Sequence, residues 1–178
     1  MEQQSENLVL KIVSFNCHGF KSSLSDIRSL CNSYDIIFLQ ELWLYKTELH
    51  LLHKVHPDFE GIAVSSMKEN NGLTHGRPYG GIGILLNKRL RKYCDFQTYD
   101  DSRLIALEFI SESDKLLFVN VYMPYQCDDN YDLFVEYLGK LTAILESAHS
   151  SKVCFVGDFN ANVNTRFETE LIEMCTQN

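Results

Sequence analysis

Short apolar runs rich in Val, Ile and Phe recur along the chain, and they constrain its fold more than any other feature. Runs of about four to eight such residues between turn-forming residues are typical of buried β-strands. The predicted strands are residues 8–15, 35–39, 61–64, 82–86, 104–109, 116–122 and 153–156. No run approaches the length that a membrane-spanning helix needs, so we predict no membrane partner.

Helical patterns lie between these strands, at residues 22–31, 129–149 and 167–175. In the longest of them, Phe134, Leu138 and Leu141 recur at the spacing of one helix face. Strands in hairpin-like succession, followed by a strand-helix-strand unit, predict an α/β fold with two layers of sheet and helices outside. The pattern contains neither repeat nor linker, which predicts a polar tail at 1–7 and one domain at 8–178.

Composition narrows the class of protein. A chain of 178 residues with 45% hydrophobic and 22% charged residues is ordinary for a globular domain. The polar start of the chain does not resemble a secretory signal peptide. Six cysteines without a C-x-x-C pair, mostly within apolar runs, indicate reduced thiols in an intracellular protein rather than a disulfide framework.

The net charge of −8 argues mildly against a simple nucleic-acid binder, which usually has an excess of Lys and Arg. It is compatible with an enzyme whose acidic centre holds a cation while a local basic patch meets a phosphate backbone. Residues 88–92, with the sequence KRLRK, could form such a patch, but a solvated turn between strands is the simpler interpretation.

Polar side chains follow four of the predicted strands, at the point where each strand ends. Asn16 follows the first strand and Glu41 the second, Tyr122 closes the sixth, and Asp158 and Asn160 follow the seventh. Strand ends hold functional groups rigidly in layered α/β proteins, while loops shape access to them. We therefore expect these five residues to form one site.

These residue types suit hydrolysis of a phosphodiester. Mg²⁺ prefers one or two carboxylates and retained waters, which points to Glu41 as the principal metal ligand with Asn16 beside it. Asp158 is placed to orient or activate the attacking water. Asn160 and Tyr122 can donate hydrogen bonds to phosphate oxygens.

Each of these residues also has a simpler interpretation when taken alone. A Glu after a strand is usually solvated or begins a helix, and the segment from Asp158 to Asn160 could be an ordinary turn. Tyr122 could be a core aromatic residue. The ordered set is much harder to explain in this way.

Five segments carry a family resemblance: SFNCHG at 14–19, FLQELWL at 38–44, GRPYGG at 76–81, NVYMP at 120–124 and GDFN at 157–160. As a set they resemble the endonuclease/exonuclease/phosphatase superfamily, which includes DNase I, abasic-site endonucleases, inositol polyphosphate phosphatases and sphingomyelinases. The segments at 76–81 and 120–124 look most like endonucleases of non-LTR retrotransposons. The resemblance extends from about residue 10 to residue 162.

The resemblance implies a four-layer α/β sandwich, in which two packed, mainly antiparallel or mixed sheets are flanked by helices. It implies catalytic roles for Asn16, Glu41, Tyr122, Asp158 and Asn160, metal binding at Glu41 and Asn16, and phosphate contact at Tyr122 and Asn160. It also implies Mg²⁺, with Mn²⁺ as a substitute, and DNA as the substrate. The same likeness implies that the chain is part of a longer protein with a reverse transcriptase domain. It also implies that this protein is located in the nucleus.

The sequence departs from the superfamily pattern after GDFN, where a further Asp and a closing Asp-His pair are expected. All six histidines precede Asp158, and His18, beside Asn16, has no counterpart in the pattern. We therefore expect a sandwich that lacks its C-terminal strands and a chain with little activity. The alternatives are a phosphatase or lipid phosphodiesterase of the same superfamily, or an inactive remnant that acts only as a binding module.

Overall fold

A computed structural model of the protein describes residues 9–67, 69–70, 73–74, 76–111, 115–148 and 151–177. The strands are β1 (Ile12–Asn16), β2 (Ile36–Gln40), β3 (Phe59–Val64), β4 (Glu69–Asn70), β5 (Leu73–Thr74), β6 (Ile82–Asn87), β7 (Cys94–Thr98), β8 (Leu104–Ile110), β9 (Lys115–Tyr122) and β10 (Lys152–Asp158). The α-helices are α1 (Leu24–Cys31), α2 (Tyr131–Ser147) and α3 (Arg166–Gln177), and short 3₁₀ helices cover Lys46–Lys54, Lys88–Tyr93 and Asp128–Asn130.

The strands form two four-stranded sheets, with orders β1-β2-β6-β3 and β10-β9-β8-β7, and β4 pairs separately with β5. Each large sheet has one parallel pair, β1 with β2 and β9 with β10, and its remaining pairs are antiparallel. Both sheets are therefore mixed. The carboxyl ends of the two parallel pairs are the part of this topology that positions the site.

Alternate residues of the first sheet pack into different apolar layers. In β2, Ile37 and Leu39 face α1 and the 3₁₀ helix at Lys46–Lys54, whereas Ile36 and Phe38 face the second sheet. All four side chains are fully buried. A strand covered on both faces reads as a continuous apolar run, and this explains the absence of polar-apolar alternation in its sequence.

The second sheet is covered on both faces in the same way. Ile105 and Leu107 of β8 pack against the first sheet, while Leu104 and Ala106 face α2 and α3. Three apolar interfaces thus separate four layers, which confirms the predicted sandwich of two mixed sheets flanked by helices. Burial of each large side chain in these interfaces stabilises the fold by about 1.5–3 kcal/mol.

Every predicted strand overlaps an observed one, with boundaries that differ by a few residues. The strand predicted at 8–15 begins instead at Ile12, and the helix predicted at 129–149 spans Tyr131–Ser147, with residue 149 outside the described residues. Strand β7 and the 3₁₀ helix Lys46–Lys54 were not predicted. Their polar residues interrupt the apolar pattern on which the strand and helix predictions depend.

The basic segment connects β6 to β7 with exposed Lys and Arg side chains, as the simpler interpretation of a solvated connection expects, and its conformation is a 3₁₀ helix, Lys88–Tyr93. Arg89 pairs with the carboxylate of Asp35, and Arg91 pairs with Glu60 and Asp95. The segment follows the carboxyl end of β6, which lies beside the amino end of β2 in the antiparallel register. It is therefore at the opposite end of the sheet from Glu41.

The six cysteines are all free thiols, as their sequence context predicted. Cys17, Cys31 and Cys94 are buried, whereas Cys154 and Cys175 are exposed. Burial raises the pKa of each of the three buried thiols to about 11. None of the described helices combines the length and the apolar composition needed to cross a lipid bilayer.

Candidate active site

The carboxyl ends of the two parallel strand pairs meet at one edge of the sandwich. In the first sheet Asn16 is paired in register with Gln40, and in the second Asp158 is paired with Tyr122. Parallel strands end at the same edge of their sheet, so each pair presents two polar residues side by side. Stacking of the two sheets then brings the four together.

The Asn16 side chain lies between two carboxylates that come from different sheets. Its Nδ2 donates to Glu41 Oε1 at 2.8 Å and to Asp158 Oδ2 at 2.8 Å. Asp158 is 142 residues away from Asn16 in sequence, so only the packing of the two sheets joins them. Two carboxylates thus lie close together on one neutral amide, and their combined negative charge favours a cation nearby.

A buried pair of amides supports this site from within the core. Gln40 Nε2 donates to Asn120 Oδ1 at 2.7 Å, and Asn120 Nδ2 donates to the carbonyls of Leu39 and Gly83 at 3.1 and 2.9 Å. Asn120 has no exposed surface, and Gln40 is 1% exposed. Buried amides are tolerated only when they are hydrogen-bonded, and here the bonds fix the two sheets in register beneath Glu41.

Backbone strain is concentrated around the site. Among the described residues, positive φ angles occur at His18 (44°), Glu41 (56°), Trp43 (50°) and Asn160 (48°), and otherwise only at glycines and Asn164. A non-glycine residue in this conformation costs about 1–3 kcal/mol and persists only when its surroundings hold it there. Clustering of such residues is typical of functional sites.

Hydrogen bonds from both sides hold the strained turn after β2. The Gly19 N–H donates to the Glu41 carbonyl at 2.8 Å, and the Leu42 N–H donates to the Gly81 carbonyl at 3.1 Å. Gly81 itself has φ of 83°, and an added Cβ would lie 3.1 Å from the Val64 carbonyl oxygen. Gly81 thus permits the tight turn that leads into β6.

Gly157, the glycine of the GDFN segment, is required for steric reasons. At Gly157, φ is 146° and an added Cβ would stand only 2.0 Å from the Val121 carbonyl oxygen. Only glycine lets β10 approach β9 so closely at this position. Asp158 is thereby placed directly beside Tyr122.

Tyr122 is half-buried beside both carboxylates. Burial raises the pKa of its phenol to about 12, and the charges of Glu41 and Asp158 and a hydrogen bond to Glu41 act in the same direction. The hydroxyl therefore stays protonated near neutral pH and remains a donor. The Arg103 guanidinium lies 5.1 Å from the centre of the Tyr122 ring and donates to the Tyr122 carbonyl at 3.0 Å.

Asn160 is held by its neighbours rather than directed freely into the site. Its backbone N–H donates to Asp158 Oδ1 at 3.1 Å, and its Nδ2 donates to the Met123 carbonyl at 2.9 Å. One amide hydrogen is thus used within the protein, and the second remains available for a phosphate oxygen.

His18 contacts the site although the sequence pattern assigns it no role. Its Nδ1 is 3.1 Å from Glu41 Oε2, and 70% of its side chain is exposed. The Asn16 Oδ1 accepts a weak hydrogen bond from the His18 N–H at 3.3 Å. His18 therefore limits the freedom of Glu41 from the solvent side.

The donor set is compatible with a hard divalent cation. Within the described ranges, no group of three or more His, Cys, Asp or Glu side chains is arranged to hold a metal ion. A closed zinc site needs about four such ligands, whereas Mg²⁺ uses one or two carboxylates and keeps several waters. Glu41 and Asp158, with their oxygens converging at Asn16, provide two carboxylates of that kind.

The structure brings all five predicted site residues, Asn16, Glu41, Tyr122, Asp158 and Asn160, to one edge of the sandwich. Reasoning from the sequence missed the supporting role of Asn120 and the proximity of Arg103. Asn120 interrupts an otherwise apolar strand, and this was the available signal. Arg103 carries no such signal because it lies in the polar segment directly before β8.

Comparisons with known proteins identify the architecture. Residues 13–169 match the profile of the Endonuclease/Exonuclease/phosphatase family. A 3′ phosphatase from Neisseria, NExo, solved with a product DNA hairpin, is 18% identical and superimposes with a TM-score of 0.65 over 93% of this chain and 71% of that one.

Two further solved structures share the fold. An AP endonuclease from Archaeoglobus fulgidus is 18% identical, with a TM-score of 0.62 over 86% of this chain and 58% of that one. The endonuclease domain of TRAS1, a telomere-specific non-LTR retrotransposon, is 12% identical, with a TM-score of 0.63 over 94% of this chain and 71% of that one. No curated protein sequence matches the chain.

Proposed function

Since the chain belongs to the endonuclease/exonuclease/phosphatase family, we propose that it hydrolyses phosphodiester bonds in DNA with the help of a divalent cation. The proposed cation is Mg²⁺, which Mn²⁺ can replace. The observation that carries the proposal is the contact of one Asn16 amide nitrogen with the carboxylates of Glu41 and Asp158, each at 2.8 Å. Two carboxylates brought together from two sheets provide the oxygen ligands and the negative charge that a hard divalent cation prefers.

Glu41 would hold the cation through its carboxylate and Asn16 through its amide oxygen, next to Asp158. When bound, Mg²⁺ supplies charge neutralisation and Lewis acidity at the phosphate. Asp158 is the group that can accept a proton from the attacking water at its carboxylate, and its Oδ1 is oriented by the Asn160 N–H.

Tyr122 and Asn160 would bind the phosphate oxygens. The Tyr122 hydroxyl is kept protonated by burial and by the two neighbouring carboxylates, so it donates rather than repels. Donors fixed in place before the reaction stabilise the charge that develops on the phosphate, because they need no reorganisation. The strained but well-braced backbone at Glu41 and Asn160 provides this rigidity.

The proposed biological role is the nicking of target DNA by a retrotransposon-type protein. Two observations support it: the fold is shared with the TRAS1 endonuclease domain, and the GRPYGG segment resembles non-LTR endonucleases. In that role residues 8–178 form the endonuclease domain of a longer protein with a reverse transcriptase domain. Such an enzyme acts on chromosomal DNA, so the proposed location is the nucleus.

A plasmid assay tests the proposed function. The protein is incubated with supercoiled plasmid and either Mg²⁺ or EDTA, and the open-circular product is quantified. We expect weak nicking in Mg²⁺, because the sequence after GDFN has no closing Asp-His pair, and no nicking in EDTA. Glu41→Gln should reduce this activity by about 100-fold or more, as is usual for removal of one catalytic group.

The matched control is Glu136→Gln, which removes an exposed carboxylate of α2 that is paired with Lys140. We expect wild-type nicking in this control. Absence of nicking by the wild-type protein, or equal nicking by Glu41→Gln, contradicts the proposal.

A further inference from the structure

An open cleft of about 580 Å³ adjoins the proposed active site. Glu41 and Tyr122 form its inner wall, while the segments 77–80 and Tyr125 form its rim. A ligand that places a phosphate against Tyr122 would therefore extend into this cleft. The cleft is distinct from the point where the Glu41 and Asp158 oxygens converge, because Asp158 does not line it.

Two arginines in the cleft have no carboxylate partner among the described residues. Arg103 contacts Tyr122 through its ring and its carbonyl, and it lies 5.9 Å from the centre of the Tyr137 ring. Arg77 is exposed and lies 5.4 Å from the centre of the Trp43 ring. In a chain of net charge −8, two cations without a paired anion indicate a site for an anionic ligand.

The rim of the cleft exposes aromatic rings. Tyr79 is 55% exposed and Tyr125 is 65% exposed, and no other tyrosine among the described residues is exposed to this extent. Exposed aromatic rings beside cations are the elements from which proteins build stacking sites for nucleobases.

We propose that this cleft binds the unpaired nucleotides that flank the scissile phosphate, with Arg103 and Arg77 on the backbone phosphates and Tyr79 and Tyr125 stacked on the bases. The inference rests on the proposed function and specifies its substrate as DNA that is locally single-stranded. It assigns to Tyr79, Tyr125, Arg77 and Arg103 a role in binding that is separate from hydrolysis.

Unpaired nucleotides fit the cleft better than a duplex for two reasons. A duplex hides the faces of its bases within the stack, so Tyr79 and Tyr125 would find no partner. A duplex is also held mainly by many contacts between phosphates and basic side chains. This chain has 24 acidic against 16 basic residues, so its affinity must come from local contacts such as stacking.

The test is the binding of two fluorescein-labelled probes in EDTA, which prevents hydrolysis: an oligothymidylate and a duplex of the same length. Fluorescence anisotropy gives the affinity for each. We expect the wild-type protein to prefer the single strand, and the double variant Tyr79→Ala/Tyr125→Ala to lose about tenfold or more of its single-strand affinity.

Variants that remove charge complete the test. Arg103→Gln should weaken binding of the single strand and reduce its dependence on salt, whereas Lys92→Gln, at the opposite end of the sheet, should change neither. Thermal unfolding of each variant shows that the fold is retained. The high exposure of both tyrosines makes their removal mild for stability.

Equal affinity of the wild-type protein for both probes, or unchanged single-strand affinity in the double tyrosine variant, overturns the inference. The proposed function is tested separately by plasmid nicking in Mg²⁺, because the binding measurement is made in EDTA and does not depend on hydrolysis. If the protein nicks plasmid but binds both probes equally, the proposed function stands and the inference about the cleft is wrong. If the protein prefers the single strand but does not nick plasmid, the proposed function is wrong and the binding preference of the cleft stands.

Discussion

The two ends of the sandwich differ in how their charges are balanced. At the end near the amino terminus of β2, Asp35 accepts from the Lys11 N–H at 3.0 Å and from Arg89, and Arg91 pairs with Glu60 and Asp95. At the other end, Glu41 and Asp158 share one amide, and Arg77 and Arg103 have no carboxylate partner among the described residues.

The difference separates structural charges from functional ones. Paired charges lower the free energy of the folded chain modestly, whereas unbalanced ones are tolerated where a ligand will complete them. The dense run of basic residues at Lys88–Tyr93 belongs to the first kind. The isolated arginines of the cleft belong to the second, although no sequence motif marks Arg103.

The largest effect is expected from Asp158→Asn. Removing this carboxylate should lower nicking by about 100-fold to 10,000-fold, since it removes the proposed acceptor of the water proton. The midpoint of thermal unfolding should stay the same or rise, because removal of one charge relieves the repulsion between two neighbouring carboxylates. A large fall in the midpoint would show instead that the Asp158 carboxylate is structural.

A large loss of stability is expected from Asn120→Leu, which removes the amide beneath the active site. Gln40 Nε2 and the carbonyls of Leu39 and Gly83 would lose their buried partner. The free energy of unfolding should fall by about 3 kcal/mol, as expected when buried polar groups are left unsatisfied. Urea denaturation measures this change, and a variant as stable as the wild type would contradict the bridging role.

A smaller loss of stability is expected from Asp35→Asn at the opposite end. The variant weakens the bonds from Arg89 and from the Lys11 N–H, but Arg89 is half-exposed and water screens its charge. We expect a decrease of about 1–2 kcal/mol in the free energy of unfolding. Nicking should remain within about twofold of wild type because the site is distant, so a large loss of activity would contradict the separation of the two ends.

The smallest effect is expected from Tyr137→Phe, which should alter the dependence of stability on pH. The Tyr137 hydroxyl donates to both carboxylate oxygens of Asp101, at 2.9 and 3.0 Å. Burial and then the bond to Asp101 raise the pKa of this phenol to about 12. A raised pKa means that the folded state holds the proton more tightly, so the stabilisation is complete below about pH 10. It is lost as pH rises towards the folded-state pKa of about 12.

Replacing Tyr137 with Phe tests that titration. Over the same alkaline range, the decline in the free energy of unfolding should be shallower in Tyr137→Phe than in the wild type. Parallel pH profiles for the two proteins would show that Tyr137 does not contribute to the decline.

Much of the fold could be predicted from the sequence because the central strands are apolar on both faces. The runs containing Ile36 and Ile105 have no other stable environment than the interior of a layered protein. Strand β7 could not be predicted in this way, since its residues from Cys94 to Thr98 include exposed polar side chains. Its position depends on pairing with β8, which is a tertiary contact.

The site residues were predictable for a related reason. Asn16, Glu41, Tyr122 and Asp158 each stand at or just beyond the end of an apolar strand, where position along the chain implies position in space. The cleft was not predictable, because the stacking of the sheets brings together residues far apart in sequence. Arg103 beside Glu41 and Tyr122 is the main example.

The binding of Mn²⁺ is the most direct test of a cation site at Glu41 and Asn16, next to Asp158. Calorimetric titration of the purified protein should give one site per chain, with affinity reduced about tenfold or more in Glu41→Gln and in Asp158→Asn. The control variant Glu136→Gln should bind like the wild type. Equal affinity in all four proteins, or no binding to the wild type, would contradict the account.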